Sequence, residues 1–456
     1  MKKFLSFLLI VMLVTTTLLA GCGQKNTSLT SNQGNNNNAS NSTNTSSSTD
    51  LTFWVFNGLH ADFYNAAAKR WNETYPNQKI NLKVVTYPYQ DMHQKLAIAL
   101  QSGVGVPDIA DVELGKFPQF LKGTPQLADL SDLIAQDKDN YIQSRLQLYS
   151  KDGKLYGLPT HGGAVVAFYD KDILDKAGVD PGTIKTWDDF VAAGKIVKEK
   201  TGKPMLAVSQ STAFQFNTLI GQQGSDYFDQ DGNVILDSEV NIKALQFLHD
   251  IIFKYQIGAI PPGGNPDNSQ AYGWLDKENV ACVIMPFWYM SRFVSYMNDL
   301  KGKLIVEPVP VWKDGNKYPT VGQGGTGTVV PLAGKHIDLA KKFLAFAKET
   351  KEANLEIWNT LGFDPPRWDV WPQLASDPGD NKYTEYFING KDLFKILYDS
   401  TKGNIQSLRS TPLSVKADDL VTNQVLYKVL SNNSATAEQA LKAAANELRK
   451  DKNSGE

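Results

Sequence analysis

Few side chains in this chain are placed to do bond-making chemistry. Five histidines (His60, His93, His161, His249 and His336) are scattered through 456 residues, and none falls in the His-Glu-x-x-His or Cys-x-x-Cys spacings that hold zinc. No Gly-x-Ser-x-Gly sets a nucleophile on a strand-to-helix turn. His161-Gly162-Gly163 reads more simply as a glycine turn opening a strand than as an oxyanion loop. The glycine-rich run Val321 to Gly327 lacks the Gly-Lys-Ser/Thr ending of a phosphate loop. Asp229-Gln230-Asp231-Gly232-Asn233 has calcium-type side chains without the later glycine and twelfth-position glutamate of an EF-hand, so a turn on Asp231-Gly232 is expected there. No metal or cofactor is therefore expected. Paired carboxylates for glycoside hydrolysis depend on separation in space, which leaves a secreted glycoside-processing enzyme as the alternative from another class.

Binding asks for less: aromatic faces and a polar rim. Aromatic residues make up 11% of the chain, with nine tryptophans, and many stand beside Gly, Pro, Asn or Asp rather than inside apolar runs. Trp54, Phe56, Trp288, Tyr289, Trp368 and Trp371 are candidate platforms. A sugar presents C–H bonds that pack on an aromatic ring, while its hydroxyls need polar partners. Asn57, His60, Glu113, His161, Gln223 and Arg367 fit that rim, and Gly58 joins the candidate site as a residue at a strand's carboxyl end.

One residue does call for covalent chemistry. Lys2 and Lys3 precede the apolar run Phe4 to Ala20, and Leu19-Ala20-Gly21-Cys22 closes it. This is a secretory signal, residues 1–21, with the site at which bacteria attach lipid to the cysteine and cleave before it. The Asn/Ser/Thr tract that follows, residues 22–50, has too little apolar surface to offset chain entropy. As a flexible coil it would span roughly 30 Å root-mean-square. The reading is an exported protein on a lipid anchor at the outer face of the cell membrane. Cys282, in Val280 to Met285, is left as a small core residue without a disulfide partner. A formal charge of −2 with no basic stripe argues against nucleic acid.

The elements that must position these residues follow from periodicity. Leu51 to Phe56 reads as a strand, and Phe63, Ala67 and Trp71 recur at helical spacing. Ile80 to Thr86 is a second strand, Met92, Leu96 and Leu100 mark a second helix, and Pro107 to Val112 is a third strand. This β-α-β-α-β opening predicts sheets flanked by helices. Ligands of such sheets gather beyond the carboxyl ends of strands, where Asn57, His60 and Glu113 fall. Further along, Thr186 caps a helix with Asp189 at its third position. Ala164 to Tyr169 and Val280 to Met285 read as strands, Ser291 to Met297 and Asp338 to Lys348 as helices, and Ala440 to Leu448 as a final helix. About 400 residues beyond the tract suit two lobes better than one core.

Several strings resemble the extracellular solute-binding proteins that serve ABC sugar importers. They include Gly105-Val106-Pro107-Asp108-Ile109, Gly153-Lys154-Leu155-Tyr156-Gly157-Leu158-Pro159, Phe168-Tyr169-Asp170-Lys171-Asp172, Lys185-Thr186-Trp187-Asp188-Asp189 and Gly324-Gly325-Thr326-Gly327. Thr52 to His60, Met285 to Met290 and Leu361 to Trp371 are similar to the arabinose- and arabino-oligosaccharide-binding lipoproteins of Gram-positive bacteria. Two positions depart from the broader family pattern: Asp170 stands where asparagine is usual, and Phe287 stands where a glycine often precedes the cleft tryptophan. The resemblance implies a two-lobed, type II periplasmic-binding-protein-like α/β fold. Lobe 1 would comprise 51–161 and 311–355, and lobe 2 would comprise 162–310 and 356–452. Crossings would lie near Pro159 to Gly163, near Val309 to Trp312 and within Asn354 to Phe363. The implied protein is a monomer that closes its hinge on arabinose or an arabino-oligosaccharide and delivers it to permease subunits backed by a cytoplasmic ATPase. Another plant-derived oligosaccharide is the alternative ligand. Gly324 and Gly325 join the expected ligand residues through the same resemblance.

Overall fold

Strand-forming runs separated by helical ones build two five-stranded sheets, with a small hairpin of Ser150–Lys151 and Lys154–Leu155 beside them, in this computed structural model, which describes residues 48–454. The leader, Cys22 and the tract up to residue 47 lie outside the described residues. The strands of the two large sheets are β1 (Thr49–Val55), β2 (Ile80–Thr86), β3 (Ile109–Glu113), β4 (Leu158–Pro159), β5 (Val165–Asp170), β6 (Leu206–Ala207), β7 (Gly258–Ala259), β8 (Cys282–Pro286), β9 (Leu304–Pro308) and β10 (Thr326–Val329). The first sheet has the order β2-β1-β3-β10-β4, and the second has the order β9-β5-β8-β6-β7. Strand β1 is parallel to both β2 and β3, whereas β10 is antiparallel to β3 and β4. In the second sheet β5 is antiparallel to β8 and β9, while β6 is parallel to β8 and β7. The expected two-lobed α/β architecture is what forms.

Side-chain periodicity explains which faces close. Every residue of β5 and β8 is buried, as in a central strand covered by helices on both faces. Alternate residues go to two cores: Val166, Phe168, Val283 and Met285 join the cluster that also fills the first lobe, while Val165, Ala167, Tyr169 and Ile284 join the other. Cys282 lies in that second cluster, 1% exposed, as a small apolar side chain with a free thiol.

Helix ends follow local chemistry. Thr186 accepts from the Asp189 amide while the Asp189 carboxylate accepts from Thr186, a complete capping box at the start of Trp187–Thr201. Gly103, at φ +69°, ends Tyr89–Ser102 in the left-handed conformation that glycine adopts without strain. Strand β1 begins two residues earlier than its apolar pattern indicates. Thr49 donates to the Lys79 carbonyl at 2.9 Å, and Asp50 accepts from Asn81 and Lys83 on the neighbouring strand. At residues 229–233 the Asp229 carboxylate accepts from the Asp231 and Asn233 amides and from the Asn233 side chain, closing the loop on itself.

The chain crosses between sheets along a narrow seam. From β4 it passes through 160–164 into β5, and Ala164 pairs there with Gly322 on the way to β10. Residues 309–312 remain with the second sheet, since Val311 exchanges backbone hydrogen bonds with the 185–187 segment. The pairing that returns the chain to the first sheet therefore comes later than expected, at 321–325. Gly162 donates to the Asp364 carbonyl at 2.9 Å, and Gly322 donates to Gln406 at 2.6 Å. Four segments thus meet where the lobes join.

Candidate functional site

Two walls converge on Gly324, Gly325 and Thr326. The first is built at the carboxyl ends of β1 and β3. Phe56 follows β1 and packs against the rings of His60, Tyr89 and His93, with centroids 5.3–5.6 Å apart. Tyr89 and His93 stand one turn apart on Tyr89–Ser102, so helical spacing sets both over the strand ends. The His93 ring bonds the Tyr89 carbonyl at 2.6 Å and, through Nε2, accepts from the Glu113 amide at 2.9 Å. One nitrogen must donate and the other accept, so the ring is neutral; burial lowers its pKa to about 4.

Glu113 Oε2 accepts from the Tyr89 hydroxyl at 2.9 Å and the Gly115 amide at 2.7 Å, and among the described residues Oε1 takes no hydrogen bond. Burial lifts this carboxyl to about 7 against the pull of those donors. Asp418, on Ser414–Leu420 of the second lobe, repels it, and Lys116 attracts it. Asp418 is exposed to solvent, and partial desolvation by the protein packed near it, with Asp419 beside it, pushes its own carboxyl up to about 6. Carboxylates from both lobes therefore lie close enough to feel each other's charge, and Lys116 bears on both.

The second wall is aromatic. Trp288 begins the turn after β8 and is 8% exposed. Its indole Nε1 donates to the Gln323 carbonyl at 3.0 Å, Phe214 meets it edge-on at 5.9 Å, and the Arg292 guanidinium lies 5.3 Å from its ring. The crossing can pass this close only because residue 324 is glycine: a Cβ there would sit 2.7 Å from the indole nitrogen. The walls are in register, because Glu113 pairs with Thr326 and Leu114 donates to the Gly325 carbonyl at 2.8 Å. Phe56, Glu113, Trp288, Gly324 and Gly325 are thus brought together.

The remaining expected site residues sit elsewhere or are engaged. Trp54 lies within β1, half-buried, with its ring edge on Tyr87. Asn57 caps Gly58–Thr74 by accepting from Leu59, and Gly58 is the exposed first residue of that helix. His60 is buried against Asp111 at 3.0 Å, which also takes Tyr64 and Thr328. Gln223 bonds back to Leu219 at the far end of Phe214–Gln222, about 13 Å of helix from Phe214. Tyr289 is fully buried with its hydroxyl on the Pro266 carbonyl. Arg367, 3% exposed, is consumed by Asp137, Glu349 and Asp369. Trp368 is half-buried across Gly403 and donates to the Asp139 carbonyl at 3.4 Å.

His161 is buried against Phe363 with neither ring nitrogen hydrogen-bonded among the described residues, and burial holds its pKa well below the usual range. Beside it Asp364 accepts from Ala164 at 2.9 Å through Oδ2, leaves Oδ1 unpartnered, and is lifted by burial to about 7. Residues that sequence reading missed are Tyr89, His93, Lys116, Phe214 and Asp418. The spacing of Tyr89 and His93 carried a signal, whereas Asp418, some 300 residues from Glu113, carried none.

A model of the bacterial extracellular solute-binding proteins matches residues 57–354. The chain belongs to that family. Among curated relatives, the arabinooligosaccharide-binding protein of Bacillus subtilis (strain 168) is 47% identical over 451 residues, covering 98% of this chain and 100% of the relative. The arabinooligosaccharide-binding protein of Halalkalibacterium halodurans is 43% identical over 397 residues, covering 87% of this chain and 88% of the relative. Among solved structures, the GacH receptor of Streptomyces glaucescens GLA.O, described unliganded and with acarbose, superposes with a TM-score of 0.71 at 20% identity. That match covers 88% of this chain and 98% of the receptor, and it establishes a shared fold for the solute-binding protein. Among the described residues no helix is long and apolar enough to cross a membrane.

Proposed function

We propose that this solute-binding protein is the lipid-anchored capture subunit of an ABC importer and takes arabino-oligosaccharides between its lobes. The observation that carries the reading is the meeting of the two walls at Gly324 to Thr326. Phe56, Phe214 and Trp288 supply ring surface for sugar C–H faces, while Glu113, Tyr89, Lys116 and Asp418 supply acceptors and donors for hydroxyls. Identity of 47% over nearly the whole chain supports arabino-oligosaccharide over other sugars. Ligand contacts to both lobes favour the closed arrangement by their differential affinity, and closure about the crossings presents the loaded protein to permease subunits. Lipid on Cys22 and the tract that precedes β1 hold it at the outer face of the cell membrane.

No catalytic step is assigned. The feature an enzyme reading could use is the pair Glu113 and Asp418 on opposite lobes, but Glu113 Oε2 is already committed to Tyr89 and Gly115. Calorimetric titration with arabinose, arabinotriose, xylotriose and maltotriose tests the proposal, and arabinotriose is expected to bind most tightly. Tighter binding of maltotriose or xylotriose would replace the ligand. Release of arabinose from arabinotriose by the purified protein would overturn the binding-only reading.

A further inference from the structure

Behind the glycines at which the two walls meet lies a guanidinium that feels the charge of Asp364 but makes no salt bridge among the described residues. It belongs to Arg145, in the short helix Gln143–Leu148, and is fully buried. Its Nη2 donates to the Gly324 carbonyl, its Nη1 donates to Ser407 Oγ at 3.3 Å, and Nε has no partner among the described residues. The adjacent Ser144 hydroxyl donates to the Ile405 carbonyl at 2.5 Å. This helix is fixed to the first lobe: Tyr149 just beyond it packs edge-on to Phe117 at 4.8 Å, and Leu146 shares the first sheet's core.

Both partners of Arg145 are crossing segments. Residues 405–407 pair with the return crossing at Val321 and Gly322. Gly324 and Gly325 have φ of +62° and +150°, and Gly163 on the facing crossing has φ +72°. Such a trio can absorb a large backbone rotation without side-chain cost. The carbonyl held by Arg145 lies between two of these glycines. A side chain at Gly325 would collide with the Arg145 guanidinium and come within 2.7 Å of the Tyr149 hydroxyl, so the glycine and the arginine occupy one packed unit.

We propose that Arg145 is a positioning residue that latches the return crossing and the 405–407 segment to the first lobe, and so sets how freely the lobes rotate about Gly163, Gly324 and Gly325. It acts on ligand affinity through the fraction of molecules in the binding-competent arrangement, without touching the ligand. The affinity consequence rests on the sugar-binding reading; the hinge consequence does not.

The test uses Gln101→Cys and Glu199→Cys, exposed positions on the two lobes, in a Cys22→Ser background, with spin labels to read the interlobe distance. Arg145→Met should broaden the ligand-free distance distribution and weaken arabinotriose binding about tenfold, while the sugar-saturated distance matches wild type. Arg145→Lys, which keeps the charge and one donor direction, should recover part of both effects. Ser407→Ala should shift the distribution in the same direction by less. A ligand-free distribution in Arg145→Met that equals wild type overturns the proposal, and a lower melting temperature with that same distribution would leave Arg145 as packing alone. If Arg145→Met does not fold, Arg145→Lys and Ser407→Ala decide by the same comparison. If wild type itself binds no arabino-oligosaccharide, the sugar reading fails while the ligand-free distances still decide the latch.

Discussion

Replacing Glu113 by glutamine separates the chemistry of the site from its scaffold. In the native protein one carboxylate oxygen holds Tyr89 and Gly115 and the other is uncommitted. The glutamine oxygen can accept both existing donors, so the local fold should persist. The free acceptor, however, becomes an NH₂ donor facing the ligand. A hydrogen bond to a charged group contributes about 1.5–3 kcal/mol, so Glu113→Gln should weaken arabinotriose binding by about tenfold to a hundredfold.

The same carboxyl sets a pH dependence. Its pKa is about 7 in the ligand-free structure, and a hydroxyl donated by the ligand favours the ionised form. Binding below pH 7 must then release a proton. Wild-type affinity should be flat above about pH 8 and fall as the pH drops through 7, by at most about tenfold per unit for one proton. The glutamine variant should show a shallower dependence. Calorimetry at pH 5.5, 7 and 8.5 on both proteins measures all of this, and melting temperature checks the fold. Equal affinities for variant and wild type at pH 8.5, or a wild-type affinity unchanged from 5.5 to 8.5, would refute the role given to Glu113.

Three further outcomes are expected. Asp364 has a folded pKa of about 7 against about 3.9 unfolded, so the folded state holds the extra proton between those values and stability falls as pH rises from 4 to 7. Asp364→Asn removes that loss, and its melting temperature should gain on wild type across this window, by up to about 4 kcal/mol of stability; parallel curves would contradict it. Trp288→Ala empties a nearly buried site and strips the Gln323 carbonyl of its donor, so it should cost about 3–5 kcal/mol of stability and at least tenfold in affinity. Trp288→Phe should retain more of both, as denaturant unfolding and titration would show. Cys22→Ser should abolish labelling by a clickable palmitate analogue and release the protein into the medium; retained labelling would move the anchor elsewhere.

What could be read from the chain was whatever rests on local order. The opening β-α-β-α-β came through because alternating and helical periodicities switch cleanly at Asn57-Gly58, Tyr75-Pro76 and Gly103. The Thr186–Asp189 capping box was visible because its partners lie within one turn. Pairings over long separations were not visible. Arg367 looked like a rim residue beside Pro366 and Trp368, yet Asp137, more than two hundred residues away, turns it inward. Trp288 and Tyr289 look alike in sequence, but the tight turn after β8 sends one to the wall and the other into the core. Arg145 and Asp418 became noticeable only once the crossings and the lobes had placed their partners.

Where the ligand lies is decided by a crystal structure with arabinotriose. The sugar should lie between Trp288 with Phe214 on one side and Glu113, Tyr89 and Lys116 on the other, with Glu113 Oε1 accepting a sugar hydroxyl. A sugar bound away from Gly324 to Thr326, or one held without contact to Glu113 and Trp288, would contradict this placement.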